Sequence, residues 1–149
     1  MEVEQRGRVS IKREAPAAYR AMAAFDRSIE LAPALRELVK IRASQLNGCA
    51  YCIDMHTRAA RKAGESEQRL YALAAWRESP LFTPRERAAL ELTDAITMIG
   101  ARGVPDAVYD SAAAEFPAEE LANLILAVTA INAWNRIAVS SRMIFEEIT

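Results

Sequence analysis

The chain is poor in the residues that most catalytic sites and most non-helical folds depend on. One histidine and two cysteines occur among its 149 residues. Two cysteines are too few for the disulfide framework of a small secreted scaffold. One histidine and two thiols also fall short of the four ligands that a structural zinc normally takes, unless a carboxylate completes the set. Alternating apolar and polar runs are missing, which argues against half-buried strands. Charge of one sign is not in excess: 19 Lys and Arg face 20 Asp and Glu, a net of -1, so there is no electrostatic footprint for nucleic acid or an acidic membrane. No long apolar run is uninterrupted. The most apolar stretch, Leu121 to Val139, contains Asn123, Asn132, Asn135 and Arg136, and it is expected to be a buried helix, not a bilayer span. Met1 to Arg13 lacks an apolar signal core, so the expected location is cytoplasmic, where a persistent disulfide would be unusual.

What is present is helix-forming. Apolar residues make up 52% of the chain and charged residues 26%, and alanine, leucine, arginine and glutamate dominate. At this length a single domain buries roughly 70% of its unfolded surface. No internal repeat, low-complexity tract or linker divides residues 1–149, so one all-α domain is expected. The expected helices cover 16–30, 33–46, 49–63, 66–77, 84–99, 105–115 and 118–145. Several limits carry a physical reason. Thr83-Pro84-Arg85-Glu86 combines a capping hydroxyl, proline at the first helical position and a capping-box glutamate. Gly64 ends one helix and Ser66 caps the next, while Asn47-Gly48 breaks the run from Pro33. In the last helix Leu121, Leu124, Ile125, Val128, Ile131, Trp134 and Ile137 cover most of the circumference. Such a helix is buried on most sides, either centrally in the monomer or against a second copy; self-association is the expectation.

The densest chemistry is Cys49-Ala-Tyr-Cys52-Ile-Asp-Met-His56, which gathers both thiols and the imidazole into eight residues. At about 100° per residue, Cys52 and His56 fall within about 60° of Cys49, while Asp54, Arg58, Arg61 and Lys62 lie opposite. The thiols and the imidazole are therefore expected on one inward face, with Ile53, Ala60 and Ala63 beside them. A thiol reacts as thiolate, and the helix N-terminus lowers the pKa of Cys49 and more weakly that of Cys52. His56, at i+4 from Cys52, is in reach of its proton. Burial opposes both effects. Three readings of the pair follow: a redox site, two inert core cysteines, or a metal site. On the 33–46 helix, Glu37 sits at the edge of the buried arc, and Arg42 points into it, which requires a carboxylate partner or a subunit contact.

Taken together, Glu37, Cys49, Cys52 and His56 follow the spacing E-x11-C-x-x-C-x-x-x-H. This pattern resembles the core motif of the alkylhydroperoxidase D (AhpD) family, within the wider carboxymuconolactone decarboxylase superfamily. The resemblance is strongest over about 33–97 and extends to Ile131-Asn-Ala-Trp-Asn-Arg-Ile-Ala-Val139. It implies an all-helical subunit in a trimer or hexamer, and peroxidase chemistry with no cofactor and no metal. By resemblance, Cys52 attacks the peroxide, Cys49 resolves, His56 relays the proton and Glu37 orients His56. A hydroperoxide is then the substrate and an external dithiol the reductant.

Tyr51 stands where better-studied members of the family carry a second histidine, and a phenol of pKa about 10 is a poor base at neutral pH. Two other functions compete: a cofactor-free lactone decarboxylase, and a redox-sensing oligomer without significant turnover.

Overall fold

The computed structural model describes residues 7–145, and these contain eight α-helices and no strand. The helices are α1 (Ile11–Glu14), α2 (Pro16–Ser28), α3 (Pro33–Asn47), α4 (Ala50–Lys62), α5 (Glu67–Ala72), α6 (Pro84–Thr97), α7 (Asp106–Glu115) and α8 (Ala118–Ser141). The all-α expectation is met. α1 is an additional short helix, started by the Ser10 side chain accepting from the Arg13 N–H.

The expected stops and starts act as capping chemistry requires. Thr83 Oγ1 accepts from the Glu86 N–H at 3.2 Å, and Glu86 Oε1 accepts from the Thr83 N–H at 2.9 Å. Ser66 caps α5, and Gly64, at φ 96°, ends α4. The expected 66–77 helix stops short, with α5 tightening into a 3₁₀ turn over Leu73–Ala75. Arg87 on α6 explains the stop, since it donates to the carbonyls of Trp76, Arg77 and Ser79 that would otherwise belong to a continuing ladder.

Helix α3 is the spine, packed against α4, α6 and α8. One core layer joins Leu35 and Val39 of α3 to Leu92 of α6 and Leu121, Leu124 and Val128 of α8. A second joins Leu38 and Ile41 to Leu73, Trp76, Phe82 and Leu90. Arg42 finds the carboxylate it needs within the chain: its Nε and Nη2 donate to the two oxygens of Asp94 at 2.7 and 3.0 Å.

By length and composition α8 is long and apolar enough to cross a membrane. Here its inner arc, including Leu124, Val128, Ile131 and Asn135, is fully buried in the bundle, while Leu126 and Val139 stay exposed on its outer side. The circumferential burial expected of this helix is therefore not reached within one chain. It also ends at Ser141, short of the expected Phe145, where Arg142 turns left-handed (φ 52°) and directs Met143 back onto the cluster around the cysteines.

Candidate functional site

A helix stop and a helix start meet at Gly48 and Cys49. Gly48 adopts φ 64°, which glycine tolerates without a Cβ penalty. Its N–H bonds the Gln45 carbonyl at 3.3 Å, and the Cys49 N–H bonds the Ser44 carbonyl at 3.0 Å, the paired bonds of a Schellman ending. Cys49 is then the N-cap of α4, whose helical backbone begins at Ala50, one residue later than expected. Its sulfur accepts from the Cys52 backbone N–H at 3.3 Å, in the place a serine or aspartate oxygen usually takes. Both residues are free thiols and fully buried, against Ala43, Ile131 and Ala138.

His56 follows one turn after Cys52 and is buried. Its Nδ1 lies 2.8 Å from Oε2 of Glu37 on α3. A carboxylate only accepts, so Nδ1 carries a proton toward it, and Nε2 is the ring nitrogen left for exchange. Glu37, an edge residue by sequence, is thus drawn inward; its side chain is only 13% exposed. The wheel's inward face holds for Cys52, His56 and Ala60, whereas Ala63 is exposed.

Cys52 and His56 share a cavity of about 140 Å³ with Asp26, Tyr51, Met55 and Trp134. Tyr51 stacks no second imidazole into the site, and burial pushes its phenol pKa up, further from a useful base. Asp26 at the cavity wall is paired with the buried Lys40, Nζ to Oδ1 at 2.7 Å, a pairing the sequence did not signal. On the other side of the His56–Glu37 pair, Glu37 lines a separate cleft of about 160 Å³ with Ala34, Ala60, Ala63, Gly64 and Glu65.

The two thiols differ in charge preference. The Cys49 pKa is lowered to about 6, first by the hydrogen bond from the Cys52 thiol, with the backbone N–H groups of Cys52 and Tyr51 and the Asn135 amide adding to it against burial. The Cys52 pKa is raised, first because its proton is held by Cys49, then by burial. The pair titrates as one unit and carries its first charge on Cys49.

Asn135 is the residue that reading the sequence missed. It counts there as a polar interruption of an apolar run, yet it is 1% exposed, on the face of α8 whose Ile131 and Ala138 pack against both cysteines, and its amide favours the charged form of each thiol. Its Oδ1 accepts from Asn47 Nδ2 at 2.9 Å, and its Nδ2 donates to Ser44 Oγ at 2.9 Å. The available signal was position: an amide in register with Leu124, Val128 and Ile131 lies on the buried arc of α8, where an unpaired polar group is costly. Among the described residues no three His, Cys, Asp or Glu side chains group closely enough to hold a metal ion.

Comparison with known proteins places the fold. The carboxymuconolactone decarboxylase family model matches residues 14–95, more than half of the chain and all of the Glu37, Cys49, Cys52 and His56 set. The uncharacterised Bacillus subtilis protein YdfG is 51% identical over 105 residues, covering 70% of this chain and 71% of that protein. A crystal structure of an Agrobacterium tumefaciens protein of unknown function, proposed there to be the antioxidant defence protein AhpD, superposes with a TM-score of 0.91 at 39% identity, over 96% of this chain and 100% of that one. The debrominase Bmp8 shares the fold at 18% identity and a TM-score of 0.76, over 89% of this chain and 73% of that one. With its family pattern met in sequence and its helices in AhpD-like order, the chain belongs to the carboxymuconolactone decarboxylase family.

Proposed function

We propose that this protein is a thiol-dependent peroxidase that reduces small hydroperoxides at Cys49 and Cys52. One observation carries the reading: an imidazole anchored by a carboxylate, His56 on Glu37 at 2.8 Å, opens on the same cavity as a cysteine of a C-x-x-C pair. An inert core pair needs no such acid–base partner.

The chemistry balances with these groups alone. The resting pair shares one proton, with the charge on Cys49, and His56 enters the reaction protonated on Nε2 as well as on the Nδ1 that faces Glu37. Transfer of that proton from Cys52 to Cys49 along their hydrogen bond creates a Cys52 thiolate on the cavity side. Its sulfur attacks the terminal oxygen of R–O–O–H and the O–O bond breaks. Cys52 becomes a sulfenic acid, and the departing alkoxide takes a proton from His56 Nε2 to leave as the alcohol. His56 then accepts the Cys49 thiol proton. The Cys49 sulfur displaces hydroxide from Cys52, which takes that proton and leaves as water. Two electrons have passed from the thiols to the peroxide, and an external dithiol returns them. The catalytic set is Cys52, Cys49, His56 and Glu37, acting without metal or cofactor, in a cytoplasmic homo-oligomer.

The test is a thiol titration before and after stoichiometric cumene hydroperoxide, with light scattering on the same samples. Two thiols per chain are expected to disappear into an internal disulfide, in a particle heavier than one 16.5 kDa chain. His56→Ala is expected to slow the oxidation by roughly 100-fold. A His56→Ala protein that oxidises as fast as the native one removes the relay. A disulfide that alters assembly without turnover favours a sensor, and lactone turnover surviving loss of both cysteines favours a decarboxylase.

A further inference from the structure

The polar chain behind the two sulfurs has a fixed direction. Ser44 Oγ donates its proton to the Lys40 carbonyl at 2.7 Å, so toward Asn135 it can only accept. The Asn135 group facing Ser44, at 2.9 Å, is therefore its NH₂. At the other end, Asn47 Nδ2 donates to both Asn135 Oδ1 and Asn132 Oδ1 at 2.9 Å, which requires the Asn135 oxygen on that side. Asn132 is oriented in turn, because its Nδ2 donates to Thr97 Oγ1 at 3.0 Å and to the Val128 carbonyl at 2.9 Å. No flip of the Asn135 amide satisfies these neighbours. One of its N–H groups is used by Ser44, and Asn135 lies one turn from both Ile131 and Ala138, on the face of α8 that packs against Cys49 and Cys52.

Ser44 links the same network to the backbone of the pair, since its carbonyl receives the Cys49 N–H at 3.0 Å. Amide and sulfur are thus placed by one residue. These side chains are also shielded from bulk solvent: Cys49, Ser44, Cys52 and Asn135 are each no more than 1% exposed. In such a site a fixed donor acts more strongly than in water, because no solvent competes for the sulfur.

We propose that Asn135 is the hydrogen-bond donor that holds the negative charge of the Cys49–Cys52 pair, serving either sulfur as the shared proton moves between them. An amide suits this role better than a cation, because it supports the charge on both sulfurs without trapping it on one. The inference rests on the thiol reading of the site, but not on the identity of the oxidant.

The experiment is the pH profile of iodoacetamide alkylation, together with ultraviolet thiolate absorbance, on the full chain. The titratable groups around the pair are Tyr51 and His56 on α4, Glu37 and Lys40 on α3, and Asp26 on α2; the facing part of α8 brings only amides and Trp134. Asn135→Asp keeps the shape and the oxygen but loses the donor, and Asn135→Ala loses both. Each is expected to move the thiolate midpoint upward by about one unit, which slows alkylation about fivefold at pH 6. Ser44→Ala leaves the amide in place but unheld, and a smaller shift in the same direction is expected. Thermal melts identify which variants are folded. A native-like midpoint in every folded variant of the three overturns the proposal. If the midpoints shift but the native chain consumes no peroxide, Asn135 keeps this role and the peroxidase reading fails. If peroxide turnover is intact and Asn135→Asp titrates like the native chain, only Asn135 loses its role.

Discussion

At the scale of single residues, the pair is a two-sulfur acid whose proton sits between Cys52 and Cys49. The largest contribution to the low Cys49 pKa of about 6 is the Cys52 thiol itself. The sign of the effect is definite: a lowered pKa means that charge on the pair is favoured at neutral pH. Cys52→Ala removes the donor, and the remaining Cys49 is expected to titrate nearer the ordinary thiol value of about 8.5, leaving a few per cent ionised at pH 7. Alkylation of Cys49 that stays half-maximal near pH 6 in Cys52→Ala would assign the depression to the helix start instead. Cys49, Cys52 and His56 are legible in the sequence because one-turn relations are local. Glu37 is legible only through the spacing of a family pattern, since by local reasoning it is an edge residue. Asn135 is not legible, because its amide meets the sulfurs only after α8 has packed on the start of α4.

Among the elements, the junction of α3 and α4 decides where the thiols lie. Gly48 is left-handed with open space where a Cβ would go, so the cost of a side chain there is in the backbone and not in a clash. Gly48→Ala is expected to lower stability by about 1 kcal/mol in urea unfolding, and an unchanged midpoint would show the turn to be unstrained by a side chain. Element limits set by side-chain caps are readable: Thr83, Gly64, Ser66 and Gly48 all act as their chemistry dictates. The limits set by tertiary partners are not. Arg87 reaches from α6 to end the segment after α5, and Met143 returns to the cysteine cluster after α8, and neither event has a local signature.

Across the whole molecule, α3 connects the cores, and its Arg42 ties it to α6 through Asp94, which also receives Trp76 Nε1 at 3.3 Å and Arg77 at 3.4 Å. The side chains of Arg42 and Asp94 are each 13% exposed. Asp94→Ala leaves a guanidinium nearly enclosed without its counter-charge, and a loss of about 3 kcal/mol is expected by chemical unfolding. A loss below about 0.5 kcal/mol would mean that the pair is screened like a surface one. The all-α architecture was readable from composition and caps, while the pairing of helices was not, because it depends on such non-local contacts. One consequence concerns α4 as a partition. The thiol cavity opens on one side of the His56–Glu37 hydrogen bond and the cleft beside Gly64 and Glu65 on the other. The imidazole therefore faces one opening and the carboxylate that anchors it faces another. A molecule that filled the first would leave Glu37 uncovered in the second.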